Sequence, residues 1–190
     1  MPNIILASKS ERRVALLKQM DIDFKVMPAD IDESLSGTYS PSDAVQYIAK
    51  KKALHIAKLI HDNSIIIAAD TIVSIDNEIL GKPNDSTHAM EMLRLLRGRK
   101  HSVYTAVTIV QNSKIEIEFN QKTDVYMRNY SDEEIKWYID TGEPFDKAGG
   151  YGIQEKGCIF IDKIEGDFYT VMGLPIAKVY LALCEMNQQV

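Results

Sequence analysis

The run Ile65-Ile66-Ile67-Ala68-Ala69-Asp70-Thr71-Ile72-Val73-Ser74-Ile75 is β-branched and nearly continuous in apolar residues, with turn formers on both sides at Asp62-Asn63 and Asp76-Asn77. Such a run fits a central strand covered on both faces. Covering both faces takes helices, which points to an α/β architecture with a mixed sheet. Asp70 conflicts with that environment. A buried carboxylate is costly unless it is paired or holds a metal. Asp70 is therefore the first candidate for chemistry.

Around this strand, helix and strand signals alternate. Asn3 to Ala7 reads as a short buried strand, and a helix follows from Ser8 or Ser10 to about Met20. Phe24 to Met27 reads as a second short strand. Ser40 as cap and Pro41 at the first helical position open a long helix to about His61. A turn at Asp76-Asn77-Glu78 leads to a short strand ending at Leu80. Asp85-Ser86 caps a helix to about Leu96. Val103 to Gln111 and Lys114 to Met127 form a hairpin about Asn112-Ser113. In its second arm Ile115, Ile117 and Phe119 alternate with Glu116 and Glu118, so one face is wet. Ser131 and Glu134 form a capping box. A glycine-rich loop spans Gly142 to Gly157, followed by a strand from Cys158 to Ile164 and a final helix from about Pro175. One domain over residues 1–190 is expected.

Composition narrows the function classes. Hydrophobic residues at 45% and charged residues at 26% suit an ordinary globular protein. A net charge of -5 gives no general affinity for nucleic acid or acidic membranes. No apolar run reaches membrane-span length, and the first residues lack a secretory pattern. Cys158 and Cys184 are too few for a disulfide scaffold, so a cytoplasmic location is expected. His55, His61, His88 and His101 lack zinc-ligand spacing and read as surface or capping residues.

Four further clusters bear on function. Leu6-Ala7-Ser8-Lys9-Ser10-Glu11-Arg12-Arg13 runs from a strand into a helix start. Free N–H groups, hydroxyls and two guanidiniums there suit phosphate, although a plain capping box of Ser8 with Glu11 is the simpler alternative. Lys52 falls inside the apolar stripe Val45, Ile48, Ala49, Ile56, Leu59 and Ile60, while Lys50 and Lys51 fall outside it. An ammonium there needs an anion or must snorkel. Gly81-Lys82-Pro83 resembles the end of a P-loop, but Asp76 stands where that loop needs glycine and Pro83 where it needs Ser or Thr. It reads instead as a rigid turn presenting Lys82 beside the Asp70 strand. In Asp146-Lys147-Ala148-Gly149-Gly150-Tyr151-Gly152-Ile153-Gln154, the glycines permit close backbone approach, and the Gln154 amide suits a base edge. The acids Asp30, Asp32 and Glu33 read as solvated, unless Glu33 folds toward Asp70. That pair would then suit a hard divalent cation.

The segments LASKSERR, AADTIV, GKP, DKAGGYGIQ and VMGLP, in this order, resemble the Maf family of nucleoside triphosphate pyrophosphatases over nearly the whole chain. The resemblance implies an elongated α/β fold like that of inosine triphosphate pyrophosphatases, with two lobes and a central cleft. It implies hydrolysis of a nucleoside triphosphate to monophosphate and pyrophosphate with a divalent cation: magnesium first, manganese or cobalt as alternatives. Position by position, Asp70 matches the proton acceptor, and Glu33, Lys52 and Lys82 complete the catalytic set. Glu33 and Asp70 are the metal candidates, with the role of Asp70 as base or ligand open. Ser8, Ser10 and Arg13 match substrate-binding positions. Arg12, Thr71 and Gln154 match specificity positions of the branch acting on dTTP and UTP. The expected partner is thus a nucleoside triphosphate, with neither nucleic acid nor membrane, and a homodimer is compatible. A non-enzymatic regulator of cell division that binds a nucleotide or protein is the alternative. One departure is Glu11, where the family usually has proline. It would repel a triphosphate if it faced the pocket.

Overall fold

The computed structural model describes residues 3–188. In chain order the elements are β1 (Ile4–Leu6), α1 (Glu11–Lys18), β2 (Phe24–Val26), α2 (Pro41–Ala57), β3 (Ile65–Ile75), β4 (Glu78–Leu80), α3 (Ser86–Leu96), β5 (Lys100–Gln111), β6 (Lys114–Met127), α4 (Asp132–Asp140), β7 (Ile161–Glu165), α5 (Phe168–Met172) and α6 (Ile176–Gln188). Short 3-10 turns occupy Glu143–Asp146, Ala148–Gly150 and Lys156–Phe160. The strands pair in the order β2-β1-β3-β5-β6-β7, with β4 on β3. β1 runs parallel to β2 and β3, whereas β4 is antiparallel to β3 and β7 to β6. This is the expected mixed α/β sheet. Among the described residues, no helix is long and apolar enough to cross a membrane.

Two compact units can be described. The first takes the described residues up to Asp70, Thr105–Gln121 and those from Gly173 onward. Its core packs Ile5, Ala7, Ile66, Ala68 and Val110 against Ala53, Ile56 and Ala57 of α2. The Ser40 hydroxyl accepts the Asp43 N–H at 3.2 Å, and Pro41 takes the first turn as expected. α2 ends at Ala57, short of His61. There Leu59 N–H bonds Ile56 O in a turn, and Leu59 is 53% exposed, outside the stripe assigned to it. Asp62 then accepts the Ser64 N–H at 2.8 Å and sets the entry to β3. At the β5–β6 hairpin, Asn112 and Ser113 take positive φ values of 50° and 63°, as a two-residue turn requires.

The second unit is Thr71–Tyr104 with Lys122–Met172. Its core joins Val73, Ile75 and Leu80 to Ala89, Leu93 and Leu96 of α3 and to Ile135, Tyr138 and Ile139 of α4. The Ser131–Glu134 capping box forms as expected. Three expectations fail here. β7 starts at Ile161 rather than Cys158, because Phe160 is seated against Tyr130 and Tyr138, with ring centroids 4.4 and 5.2 Å away. That packing outweighs the β-propensity of Ile159. α5 was not anticipated; the Asp167 carboxylate starts it by accepting Thr170 N–H at 2.6 Å and Thr170 Oγ1–H at 2.8 Å. His101 is not a surface residue. It is 2% exposed and its Nε2 pairs with the Tyr151 hydroxyl at 2.6 Å, while burial pulls its pKa down to about 4.

Two glycines separate conformational strain from steric strain. Gly142 has φ +79° and open space where a Cβ would stand. Gly149 has φ +70°, and a Cβ there would meet Val73 Cγ1 at 2.9 Å. Gly142→Ala should cost about 1 kcal/mol through φ alone. Gly149→Ala should cost ~2–4 kcal/mol because overpacking adds to it. Denaturant titrations of both variants check this; equal losses would mean that the Val73 contact relaxes freely.

Candidate functional site

Asp70 and Lys52 meet because two periodicities coincide. Along β3 alternate residues share a face, so Asp70 follows Ile66 and Ala68 on the side that packs α2. On α2, Lys52 lies beside Ala53 and one turn before Ile56, on the face buried against those residues. Lys52 and Asp70 are each only 7% exposed, and Lys52 Nζ donates to Asp70 Oδ1 at 2.6 Å. The ammonium has its anion, so the snorkelling alternative is set aside.

Glu33 joins them from the loop after β2. Lys52 Nζ also lies 2.9 Å from Glu33 Oε1, so one ammonium bridges two carboxylates. The loop is held from two sides. Lys51 Nζ donates to the Asp32 carbonyl at 2.6 Å. The Asp32 carboxylate accepts Ser34 N–H at 2.8 Å and Ser34 Oγ–H at 2.7 Å, folding a tight local turn. Asp32 therefore shapes the loop, and Lys51 is a residue that helical periodicity gave no reason to choose.

The segment from Leu6 into α1 supplies the next charge. Ser10, not Ser8, caps α1, accepting the Arg13 N–H at 3.4 Å. Ser8 is buried, accepts the Ser10 N–H at 3.1 Å and lies 3.4 Å from Arg13 Nη1. Arg13 Nε donates to the Gly173 carbonyl at 2.8 Å, which gives the VMGLP segment a role. Glu11 is exposed at the first position of α1. Burial lowers the pKa of Arg13, opposed by the charges of Asp70 and Glu33, with neighbouring Arg12 lowering it further. Asp70 moves the other way: burial raises its pKa, against the pull of Lys52 and Arg13, and Glu33 adds to the rise. A desolvated carboxylate of raised pKa, held by fixed cations, is chemistry suited to accepting a proton.

The remaining candidates belong to the second unit. Thr71 is half-buried and lies on the opposite face of β3 from Asp70. Lys82 is exposed in the turn after β4, which pairs with the Val73–Ile75 end of β3. The Gly149 N–H donates to the Gly81 carbonyl at 2.9 Å, which ties the glycine-rich loop to this turn. Gln154 is exposed on that loop.

Glu33 and Asp70 fit a divalent cation. Their oxygens already converge on one positive charge, and both are hard donors. Among the described residues no group of three or more His, Cys, Asp or Glu could hold a metal. Two carboxylates with phosphate oxygens and water completing the shell is the usual magnesium arrangement.

The shared ammonium predicts a pH-dependent stability. Lys52→Met keeps the stem and strips the charge from a buried pair, at a cost of about 3–5 kcal/mol. It also pushes the Asp70 pKa higher still. A carboxylate raised in the folded state contributes stability below its unfolded pKa and loses it as pH rises through the folded one. The melting temperature of Lys52→Met should therefore fall further below wild type as pH rises above the ordinary aspartate range. Asp70→Asn leaves Lys52 the Glu33 carboxylate as its anion and an amide oxygen besides, and should stay within about 1 kcal/mol of wild type. A Lys52→Met deficit that does not change with pH would contradict this pairing.

Comparison with known proteins shows the family. The family model described as Maf-like protein matches residues 3–186. A protein of Thermosipho africanus named dTTP/UTP pyrophosphatase is 49% identical over 93% of this chain and 90% of its own length. One of Bacillus mycoides with the same name is 44% identical over 100% of this chain and 98% of its own. Among solved structures, a HAM1 protein from Coxiella burnetii superposes with a TM-score of 0.50, covering 67% of this chain and 73% of that one. At 19% identity it speaks for the fold alone. With nearly every described residue inside the family model, the chain belongs to the Maf family.

Proposed function

We propose that the protein is a nucleoside triphosphate pyrophosphatase that hydrolyses dTTP and UTP to the monophosphate and pyrophosphate. The observation that carries this reading is the buried Asp70, held by Lys52 together with Glu33. Binding alone does not require a buried carboxylate, and burial raises the pKa of this one. Relatives that bear the name dTTP/UTP pyrophosphatase support the choice of substrate. The cysteines Cys158 and Cys184, both free, support a cytoplasmic setting.

Asp70 accepts a proton from the water that attacks the α-phosphorus. Its raised pKa brings its basicity nearer the working pH, which favours proton transfer. One phosphorus–oxygen bond forms to water and the α–β anhydride bond breaks, so pyrophosphate leaves. Lys52 holds the Asp70 and Glu33 oxygens in place. Arg13, fixed by Gly173 and Ser8, and the start of α1 meet phosphate charge. When bound at Glu33 and Asp70, a divalent cation such as magnesium supplies charge stabilisation to the phosphoryl oxygens. By their positions in the family segments, Lys82 is assigned to phosphate charge, Ser8 and Ser10 to substrate binding, and Arg12, Thr71 and Gln154 to base choice.

A panel of dTTP, UTP, dCTP and GTP tests this reading. The first two should be turned over best, with orthophosphate appearing only after inorganic pyrophosphatase is added. Direct release of orthophosphate would contradict the bond assignment, and full activity in excess chelator would contradict the metal. Asp70→Asn should lower kcat on the order of 10²-fold or more. Gln154→Ala should narrow the gap between dTTP and GTP, mainly through lost dTTP activity, because a site built on hydrogen bonds rejects ligands that leave them unmade.

A further inference from the structure

Lys147 is a second buried lysine, and the mechanism above does not use it. Its side chain is 6% exposed. Its Nζ lies 2.7 Å from Asp146 Oδ1 and 3.0 Å from Glu155 Oε2, and donates to the Glu143 carbonyl at 2.9 Å. One ammonium thus ties together three points of the segment 143–155. The backbone is built around that side chain. A Cβ on Gly152 would stand 2.7 Å from Lys147 Cε and 3.0 Å from Cδ, so any other residue there would push the stem from its place. The Gly149 N–H anchors the middle of the segment to Gly81.

The far end of the clamp is Glu155, next to Gln154 in sequence. Gln154 itself is exposed, on a stretch without α-helix or strand to hold it. Its direction must come from its neighbours, and the Glu155 carboxylate one residue away is tethered to the Lys147 ammonium at 3.0 Å. We infer that Lys147 is a positioning residue that sets Gln154, and through it the preference for a pyrimidine base. The inference rests on the reading of Gln154 as the base-recognition residue. A burial of this kind is costly unless the charge is paired, and here one cation faces two carboxylates and a carbonyl. A loop needing only a stiff turn could obtain that from Pro144 and its own backbone hydrogen bonds, Lys147 N–H to the Pro144 carbonyl and Gly150 N–H to the Lys147 carbonyl, without enclosing an ion.

The test is a double-mutant cycle on selectivity, read as kcat/KM for dTTP and for GTP in wild type, Lys147→Met, Gln154→Ala and the double variant. Methionine keeps the stem beside Gly152. Lys147→Met should lower the dTTP-to-GTP ratio on the order of 10-fold, mainly through a higher KM for dTTP. In the Gln154→Ala background it should lower the ratio no further, because residues acting as one unit are not additive. Equal losses on both nucleotides, or full additivity in the double variant, would overturn the positioning role. If Gln154→Ala leaves the ratio unchanged, the base-recognition reading fails first, and the inference built on it falls with it. Should Lys147→Met not fold, Glu155→Gln takes its place in the cycle. It leaves the Asp146 contact intact and changes a carboxylate that is 47% exposed. It should lower the ratio about 3-fold, and an unchanged ratio would overturn the inference.

Discussion

One ammonium shared by two carboxylates organises the candidate chemistry. Asp70 could not stay ionised inside β3 without a counter-ion, and Lys52 could not sit on the buried face of α2 without an anion. Each residue makes the other tolerable. Their contact joins the buried face of α2 to β3, and Lys52 also reaches the Glu33 carboxylate, which stays half exposed on its loop. Arg13 adds a second positive charge whose field reaches both carboxylates. Small residues on the same core face, Ala7, Ala53, Ala57 and Ala68, let strand and helix approach closely.

That arrangement keeps Asp70 between two limits. Burial alone would leave it protonated and useless as a base. Cations alone would hold it far below the working pH. The balance of burial against Lys52 and Arg13 leaves its pKa raised but opposed. A carboxylate raised in this way is a stronger proton acceptor than one at its ordinary value.

Sequence alone carried much of this, for physical reasons that differ by residue. β3 was legible to its ends because a buried strand leaves a continuous apolar run between turn formers. Ser40-Pro41, Asp85 and Ser131 with Glu134 were legible because capping is local chemistry. Asp70 and Lys52 stood out because each breaks an apolar pattern. The short α5 gave no periodic pattern to read, and Phe160 took its conformation from ring contacts in the folded unit. Burial of His101 depends on Tyr151, fifty residues away in sequence. The partnership of Arg13 with Gly173 spans 160 positions and leaves no local signature. Lys82 and Gln154 break no pattern of their own; a rigid turn and an amide on a glycine-rich loop point to them, and the family resemblance supplies their roles.

The most direct test of the account is the ionisation of Asp70 itself. A carbon-13 NMR titration of aspartate side-chain carboxyls, with the Asp70 signal assigned by its loss in Asp70→Asn, gives its pKa in wild type and in Lys52→Met. The account predicts a wild-type value above the ordinary aspartate value of about 3.9, and a further rise when the ammonium is removed. A wild-type value at or below about 3.9, or one indifferent to Lys52→Met, would contradict it.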